Sequence, residues 1–267
     1  MKHDIPEVEI FAIGTELVLG RIQDTNSFWM SSQLSELGAH VNRMTILGDE
    51  ISQIVEAINT ALQMKNRFVI VSGGLGPTPD DLTSTALAQV FGVELAVHEP
   101  TVEDFMRRRD ISDRGEVSDG MLRMATVPEG AEALPNPNGW APCIVLTNPH
   151  TTLFAVAGPP REMEGVFTAH VAPAISKESN VSRAAARLAV TMYESEVSPH
   201  MMQVMEEFPH TYIKAYVGMR SGEEHRLPVD VVATNADADT AKITLEMAVE
   251  RLTELVTLAG KEVVPLD

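Results

Sequence analysis

The chain has 267 residues, 44% of them apolar and 5% aromatic, which is enough for one large domain or two smaller ones with ordinary cores. Its net charge of −18 argues against a nucleic-acid partner, whose phosphates demand concentrated Lys and Arg. One cysteine, Cys143, excludes an internal disulfide framework and makes a reducing cytoplasm the expected compartment; no apolar run has membrane-spanning length, and the first seven residues lack the apolar core of a signal peptide.

Residues 8–13 alternate and then turn apolar, as a strand entering a core does, and end at Gly14-Thr15-Glu16. Open α/β sheets place their ligands at that C-terminal edge. The plain alternative is that Thr15 and Glu16 only cap or solubilise a loop. Asp24, Thr25 and Asn26 precede a helix expected over 27–37, with Phe28, Met30, Leu34 and Leu37 on one face and Gly38 as its stop. Asn26 is either the N-cap or a side chain pointing into the site beside Glu16. Residues 40–47 read as a second strand running into Gly48-Asp49. Residues 51–64 read as an amphipathic helix with Ile51, Ile54, Ile58 and Ala61 among its inward positions.

A buried strand over 68–71 breaks into Ser72-Gly73-Gly74-Leu75-Gly76. Glycine lets backbone N–H groups approach a ligand closely. Asp80, Asp81 and Thr83 stand at the start of a helix expected over 82–91, where such residues satisfy orphan helix amides. In outline this is an anion-and-metal site; the plain reading is a tight strand-to-helix turn with an Asp cap. Strands alternating with helices predict a parallel, helix-covered sheet. Strand ends near Glu16, Asp49 and Asp80 would then deliver carboxylates to one edge.

Residues 100–127 read as a helical excursion with Met121 and Met124 as core fillers. Arg107, Arg108 and Arg109, among Asp104, Asp110 and Asp113, read as a solvated helix face. Residues 134–142 are irregular, with Trp140 packing the loop down or stacking on a ligand ring. Residues 143–146 and 152–157 look like paired strands, and Cys143 reads as a small buried hydrophobe rather than a nucleophile. A helix begins within 158–163, because Pro suits a first turn. A boundary near 175–184 divides the chain into domains 1–178 and 185–267. The second reads as a strand over 187–193, a helix over 198–208, paired strands over 211–218 and 227–234, a helix over 238–258 and a short strand over 261–265. That βαββαβ order suits a small α+β domain. His200, His210 and His225 lack metal-ligand spacing.

Several motifs occur in order: Gly14-Thr15-Glu16-Leu17, Gly20, Thr25-Asn26, Gly48-Asp49, Gly73-Gly74-Leu75-Gly76-Pro77-Thr78 and Asp80-Asp81-Leu82-Thr83. Val127-Pro128-Glu129-Gly130-Ala131, Asn136-Pro137, Gly139, Ala141-Pro142 and Gly158 with Pro160, Glu162 and Met163 follow. Over residues 6–175 this pattern resembles the molybdopterin-binding-like domain of the CinA (competence/damage-inducible) proteins, and residues 185–264 resemble the small KH-like domain that follows it. The resemblance implies a three-layer α/β/α sandwich with a mostly parallel sheet, then a small α+β domain. The family's nicotinamide-nucleotide deamidase domain has no counterpart up to Asp267, so that activity is not expected. The chain departs from the family pattern at Trp140, Cys143 and Pro159.

The activity implied is metal-dependent hydrolysis of the diphosphate in ADP-ribose or a related nucleotide. Asp80, Asp81 and Glu16 are the catalytic candidates, and Asp81, Asp80 and Asp49 the candidate ligands of a divalent Mg, Mn, Co or Ni ion. Gly14, Thr15, Asn26, Ser72, Gly73, Gly74, Gly76, Thr78, Thr83, Gly158, Arg161 and Glu162 are the candidate substrate contacts. Glu162 is also a candidate for orienting a loop. Two other readings stay open: a molybdopterin binder or adenylyltransferase using the same loop, and a non-catalytic nucleotide-binding module. The expected partners are a small nucleotide diphosphate and a second copy in a homodimer, with no nucleic acid and no membrane.

Overall fold

Apolar runs that lie against neighbours on both sides become strands buried on both faces. The computed structural model describes residues 5–219 and 226–266; the first four residues and His225 lie outside them. Internal contacts divide the chain into two units, one of residues 6–35 and 39–178, the other containing 179–267.

The larger unit has strands β1 (Glu7–Ile13), β2 (His40–Leu47), β3 (Phe68–Ser72), β4 (Leu95–Val97), β5 (Thr126–Pro128), β6 (Glu132–Leu134), β7 (Cys143–Thr147) and β8 (Thr152–Val156). Its helices are α1 (Thr15–Val18), α2 (Asn26–Glu36), α3 (Ile51–Gln63), α4 (Thr83–Phe91), α5 (Glu99–Arg109), α6 (Asp119–Met124), α7 (Pro160–Val166) and α8 (Ala172–Ser176). The main sheet has the order β2-β1-β3-β8-β7-β6. β2, β1, β3 and β8 run parallel, and β7 and β6 add an antiparallel end.

Alternation along the strands splits the core. Phe11, Ile13, Val69 and Val71 pack with Ile54 and Ile58 of α3 and Leu87 of α4. Ile10, Ile70 and Phe154 point the other way, and Met30 and Leu34 of α2 and Met163 of α7 are as deeply buried. On that side Trp29 meets Phe167 edge to face at 5.3 Å. Helices thus cover both sheet faces, as the alternating order predicted. β6 and the small β4–β5 sheet went unread in the sequence, since three-residue strands carry no period.

A buried polar group interrupts the core. Glu9 is fully buried beside a register shift between Val8 and Glu9. It accepts from Arg43 Nε at 2.5 Å and from Asn66 Nδ2 at 2.9 Å. Both carboxylate oxygens are therefore satisfied, as burial of a charge requires.

The other unit contains β9 (Ser182–Val190), α9 (Glu194–Glu207), β10 (Thr211–Ala215), β11 (Leu227–Asn235), α10 (Ala238–Leu258) and β12 (Val263–Leu266), with an antiparallel sheet of order β10-β11-β9-β12. Two elements start four or more residues earlier than expected. β9 begins at Ser182, because its small residues, Ala184 to Ala186, pair with β11 despite their weak apolar signal. α9 begins at Glu194, four residues before the expected Ser198, with Pro199 inside it.

Candidate functional site

The parallel strands end level. Ile13 is in register with Leu47, Ala12 with Ser72, and Ser72 with Val156. The segments that follow therefore leave the sheet along one edge and enclose a cavity of about 450 Å³. Glu16, Asp49, Asp80 and Asp81 all line it, so the carboxylates expected from separate strand ends meet there. Gly14, Asn26, Ser72, Gly73, Gly74, Gly76 and Gly158 line it too.

Five other candidates lie in its supports instead. Thr15 and Asp49 exchange hydrogen bonds: Thr15 N donates to Asp49 Oδ2 at 2.7 Å, and Asp49 N donates to Thr15 Oγ1 at 3.1 Å. Thr78 donates to Asp81 Oδ2 from its amide at 2.8 Å and from its hydroxyl at 2.5 Å. Asp81 thus closes a turn with Thr78. The helix cap expected of the aspartates is not formed, because Leu82 stands at the N-cap of α4 and makes no side-chain cap bond. Thr83 is fully buried and donates to the Gly73 carbonyl at 2.8 Å. Glu162 accepts from Trp140 N and Asn136 Nδ2, each at 3.1 Å, and so pins the 136–140 loop. The Arg161 carbonyl accepts from Asn138 Nδ2 in the same loop.

The arginine run likewise has a defined place. Arg107 and Arg108 pair with Asp104. Arg108 also donates to the Gly139 carbonyl at 2.6 Å, and the Arg108 and Arg109 guanidiniums lie 4.1 and 4.7 Å from the Trp140 ring centre. Beyond Arg107, then, the run is a clamp on Trp140 rather than a purely solvated face.

The glycine loop presents its backbone to the cavity. Gly73 has φ +104 and a Cβ there would fall 2.2 Å from the Ile13 carbonyl oxygen; Gly74 has φ +67 and a Cβ would fall 2.3 Å from Thr83 Oγ1. Among the described residues, the N–H groups of Gly74, Leu75 and Gly76 donate to no protein acceptor. Three successive open amides make a concavity suited to an anion. Around them the wall is rich in acceptors. The Thr78 hydroxyl beside Asp80 holds that exposed carboxyl below the usual carboxylate range, so it stays ionised at neutral pH. The reading missed Asp24, whose Oδ1 accepts from Ser27 N at 3.0 Å at the entrance to α2 while the residue lines the cavity. Its signal was the Asp-Thr-Asn run before that helix.

Among the described residues, no three His, Cys, Asp or Glu side chains converge to hold a metal ion. Asp49 and Asp81 already accept from Thr15 and Thr78. The donor set fits a divalent ion only where ligand phosphate oxygens complete its shell, with Asp80 and Glu16 as the carboxylates that line the cavity beside Asp49 and Asp81. No helix of the described residues is long and apolar enough to cross a membrane.

A glycine loop with open amides, set among carboxylates at the carboxyl ends of parallel strands, defines an α/β protein of the sheet-edge ligand-binding class. Residues 9–177 match the family model of a probable molybdopterin binding domain. A protein of Pyrobaculum calidifontis is 32% identical over 255 residues, covering 94% of this chain and 96% of that one. A CinA-like protein of Kosmotoga olearia is 38% identical over 177 residues, 65% of this chain but 42% of its own length. The crystal structure of CinA from Thermoplasma acidophilum superposes with a TM-score of 0.59 at 27% identity, over 64% of this chain and 98% of that one. The chain belongs to the molybdopterin-binding-domain family and, within it, to the CinA-like proteins.

Proposed function

We propose that the sheet-edge cavity binds a phosphorylated pterin of the molybdopterin class. The observation that carries this reading is the row of open amides at Gly74, Leu75 and Gly76, bordered by the carboxylates of Glu16, Asp24, Asp49 and Asp80. A phosphate offers only acceptors, so it belongs on the amides. A pterin ring offers N–H and amino donors along one edge, so it belongs against the carboxylates. The family match over residues 9–177 supports the same ligand class.

A second reading rests on Asp80, which lines the cavity, is held below the usual carboxylate range by the Thr78 hydroxyl and shares that lining with no Lys or Arg among the described residues. In that reading the same loop holds the diphosphate of a nucleotide such as ADP-ribose for hydrolysis. Asp80 and Glu16 would hold a divalent ion jointly with the phosphates, and the ion would supply charge neutralisation and an activated water.

One paired assay separates the two. The full chain is titrated anaerobically with molybdopterin, followed by pterin fluorescence, and is incubated with ADP-ribose and Mg, Mn, Co or Ni ions with product identification. Saturable pterin binding without release of AMP supports the first reading. Stoichiometric AMP and ribose 5-phosphate support the second. No binding and no products would overturn both.

A further inference from the structure

The antiparallel sheet β10-β11-β9-β12 turns one face to helices and the other to solvent. Alternation sends Leu188, Ile213, Val229 and Val231 inward, where they pack with Val197 and Val204 of α9 and Leu252 of α10. Residues of the opposite parity make the outer face. The register sets two of its rows. Tyr212 lies opposite Val232 and Val232 opposite Ala185; two residues along, Lys214 lies opposite Asp230 and Asp230 opposite Arg187. Tyr212 is 58% exposed, and Lys214 and Ala185 are exposed as well.

The charge of this face runs against that of the chain. Arg183, Arg187 and Lys214 stand on it with one carboxylate, Asp230, whereas the chain has 20 basic and 38 acidic residues. Lys214 joins the two arginines only through the strand register, so no basic run marks the face in the sequence. Arg187 donates to Asp230 from Nε at 2.5 Å and from Nη2 at 2.8 Å, and its guanidinium lies 5.7 Å from the Tyr216 ring centre. Among the described residues, Arg187 Nη1 donates to no protein acceptor and Lys214 makes no ion pair.

We propose that this face binds single-stranded RNA. The Tyr212 ring, in a row with Val232 and the small Ala185, is a platform on which a base stacks. Lys214 and Arg187, about 7 Å along the strands, meet the phosphates. A duplex keeps its bases in its own stack and would leave the ring unused. Asp230 repels phosphate but accepts from a 2′-hydroxyl, which DNA lacks, and this favours RNA. An acidic peptide would meet the cations but give the ring no planar partner, and a second copy would set cation against cation. The acidic remainder of the chain repels the strand, so the expected affinity is modest. The surface belongs to residues 179–267 and is independent of the ligand in the sheet-edge cavity.

The test is fluorescence anisotropy of the full chain with a labelled single-stranded RNA of mixed sequence and about 12 nucleotides, the matching single-stranded DNA, an RNA duplex and a polyglutamate peptide, at two salt concentrations. The single-stranded RNA binds saturably, and the DNA and the duplex bind at least three-fold more weakly. Tyr212→Ala weakens RNA binding at least five-fold, while Tyr212→Phe stays within two-fold, because the ring rather than the hydroxyl stacks. Lys214→Ala weakens it several-fold and lowers the slope of log affinity against log salt by about 0.7, as for one lost phosphate contact. Both positions are exposed, and thermal melts verify that the variants fold. The inference is overturned if the RNA does not bind at low salt, if the DNA or the duplex binds as tightly, or if folded Tyr212→Ala binds the RNA as wild type does. Polyglutamate binding tighter than the RNA would overturn it too, and would mark a surface for acidic peptides.

Discussion

Asn26 donates its side-chain amide to the carbonyl oxygen of Gly158 at 2.8 Å. It donates from the same nitrogen to Ser72 Oγ at 3.0 Å, and that hydroxyl faces the Ala157 carbonyl at 3.2 Å. A carbonyl only accepts, so the orientation of the amide is fixed by its partners. Its Oδ1 is buried and accepts nothing among the described residues. The entrance of α2 is thereby tied, across the cavity edge, to the turn that precedes α7. Asn26→Asp sets a carboxylate against the Gly158 carbonyl and leaves that carbonyl unpaired. The expected cost is about 1–3 kcal/mol, read from the urea unfolding midpoint. Ser72→Ala, which keeps the Gly158 bond, costs less.

Glu9 and Arg43 give a larger effect far from the site. Glu9 is buried completely, and Arg43 supplies its only opposite charge within salt-bridge distance among the described residues. Arg43→Ala strands a buried carboxylate with Asn66 as its remaining partner. Denaturant unfolding is expected to show a loss of about 3 kcal/mol, the lower end for a broken buried pair, since the Arg43 side chain is half-exposed. A loss below about 1 kcal/mol would contradict a stabilising Glu9–Arg43 pair.

Burial, with a smaller contribution from the charge of Glu132, pushes the Cys143 thiol up from 9.0 to about 12. Here the folded state holds the proton more tightly than the unfolded state. Stability is therefore unaffected below the unfolded value and falls as pH rises from about 9 towards about 12. The slope from this one group is about 1.4 kcal/mol per pH unit. Comparing wild type with Cys143→Ala by urea unfolding at several pH values isolates it, because other groups titrate equally in both. Equal slopes would contradict the buried neutral thiol. The same burial makes Cys143 unreactive to thiol reagents until the protein unfolds.

The 136–142 loop is held by close approach rather than by regular structure. A Cβ on Gly139 would fall 1.8 Å from Glu162 Oε2. Gly139→Ala is expected to displace Glu162 from Trp140 N, releasing the ring from Phe105, which it meets edge to face at 5.5 Å. The check is Trp emission shifted to longer wavelength with a loss of about 1–3 kcal/mol, as for an unmade buried hydrogen bond. Unchanged emission would show that Glu162 moves without freeing the loop.

The parts legible in the sequence were those set by repetition. Ile54, Ile58 and Ala61 recur at helical spacing, and the run 68–71 is unbroken, so α3 and β3 emerged close to their observed bounds. That Glu16, Asp49 and Asp80 line one cavity followed from topology, since parallel strands must end on one edge. What did not emerge depends on partners distant in sequence. Thr83 looked like a ligand contact, yet its hydroxyl turns inward to Gly73, ten residues back. Arg108 looked solvated, yet it reaches Gly139 thirty-one residues on. Asp24 was passed over because a residue that caps α2 and lines the cavity carries one signal for two roles.

The central claim is that the ligand enters the cavity at the ends of β1, β3 and β8. Thr25 is exposed and lines that cavity, so Thr25→Trp fills it without disturbing the core. Molybdopterin titration of wild type and Thr25→Trp, with melting temperatures in parallel, tests the claim most directly. The account predicts binding weakened at least ten-fold at an unchanged melting temperature; equal binding by the two proteins would contradict it.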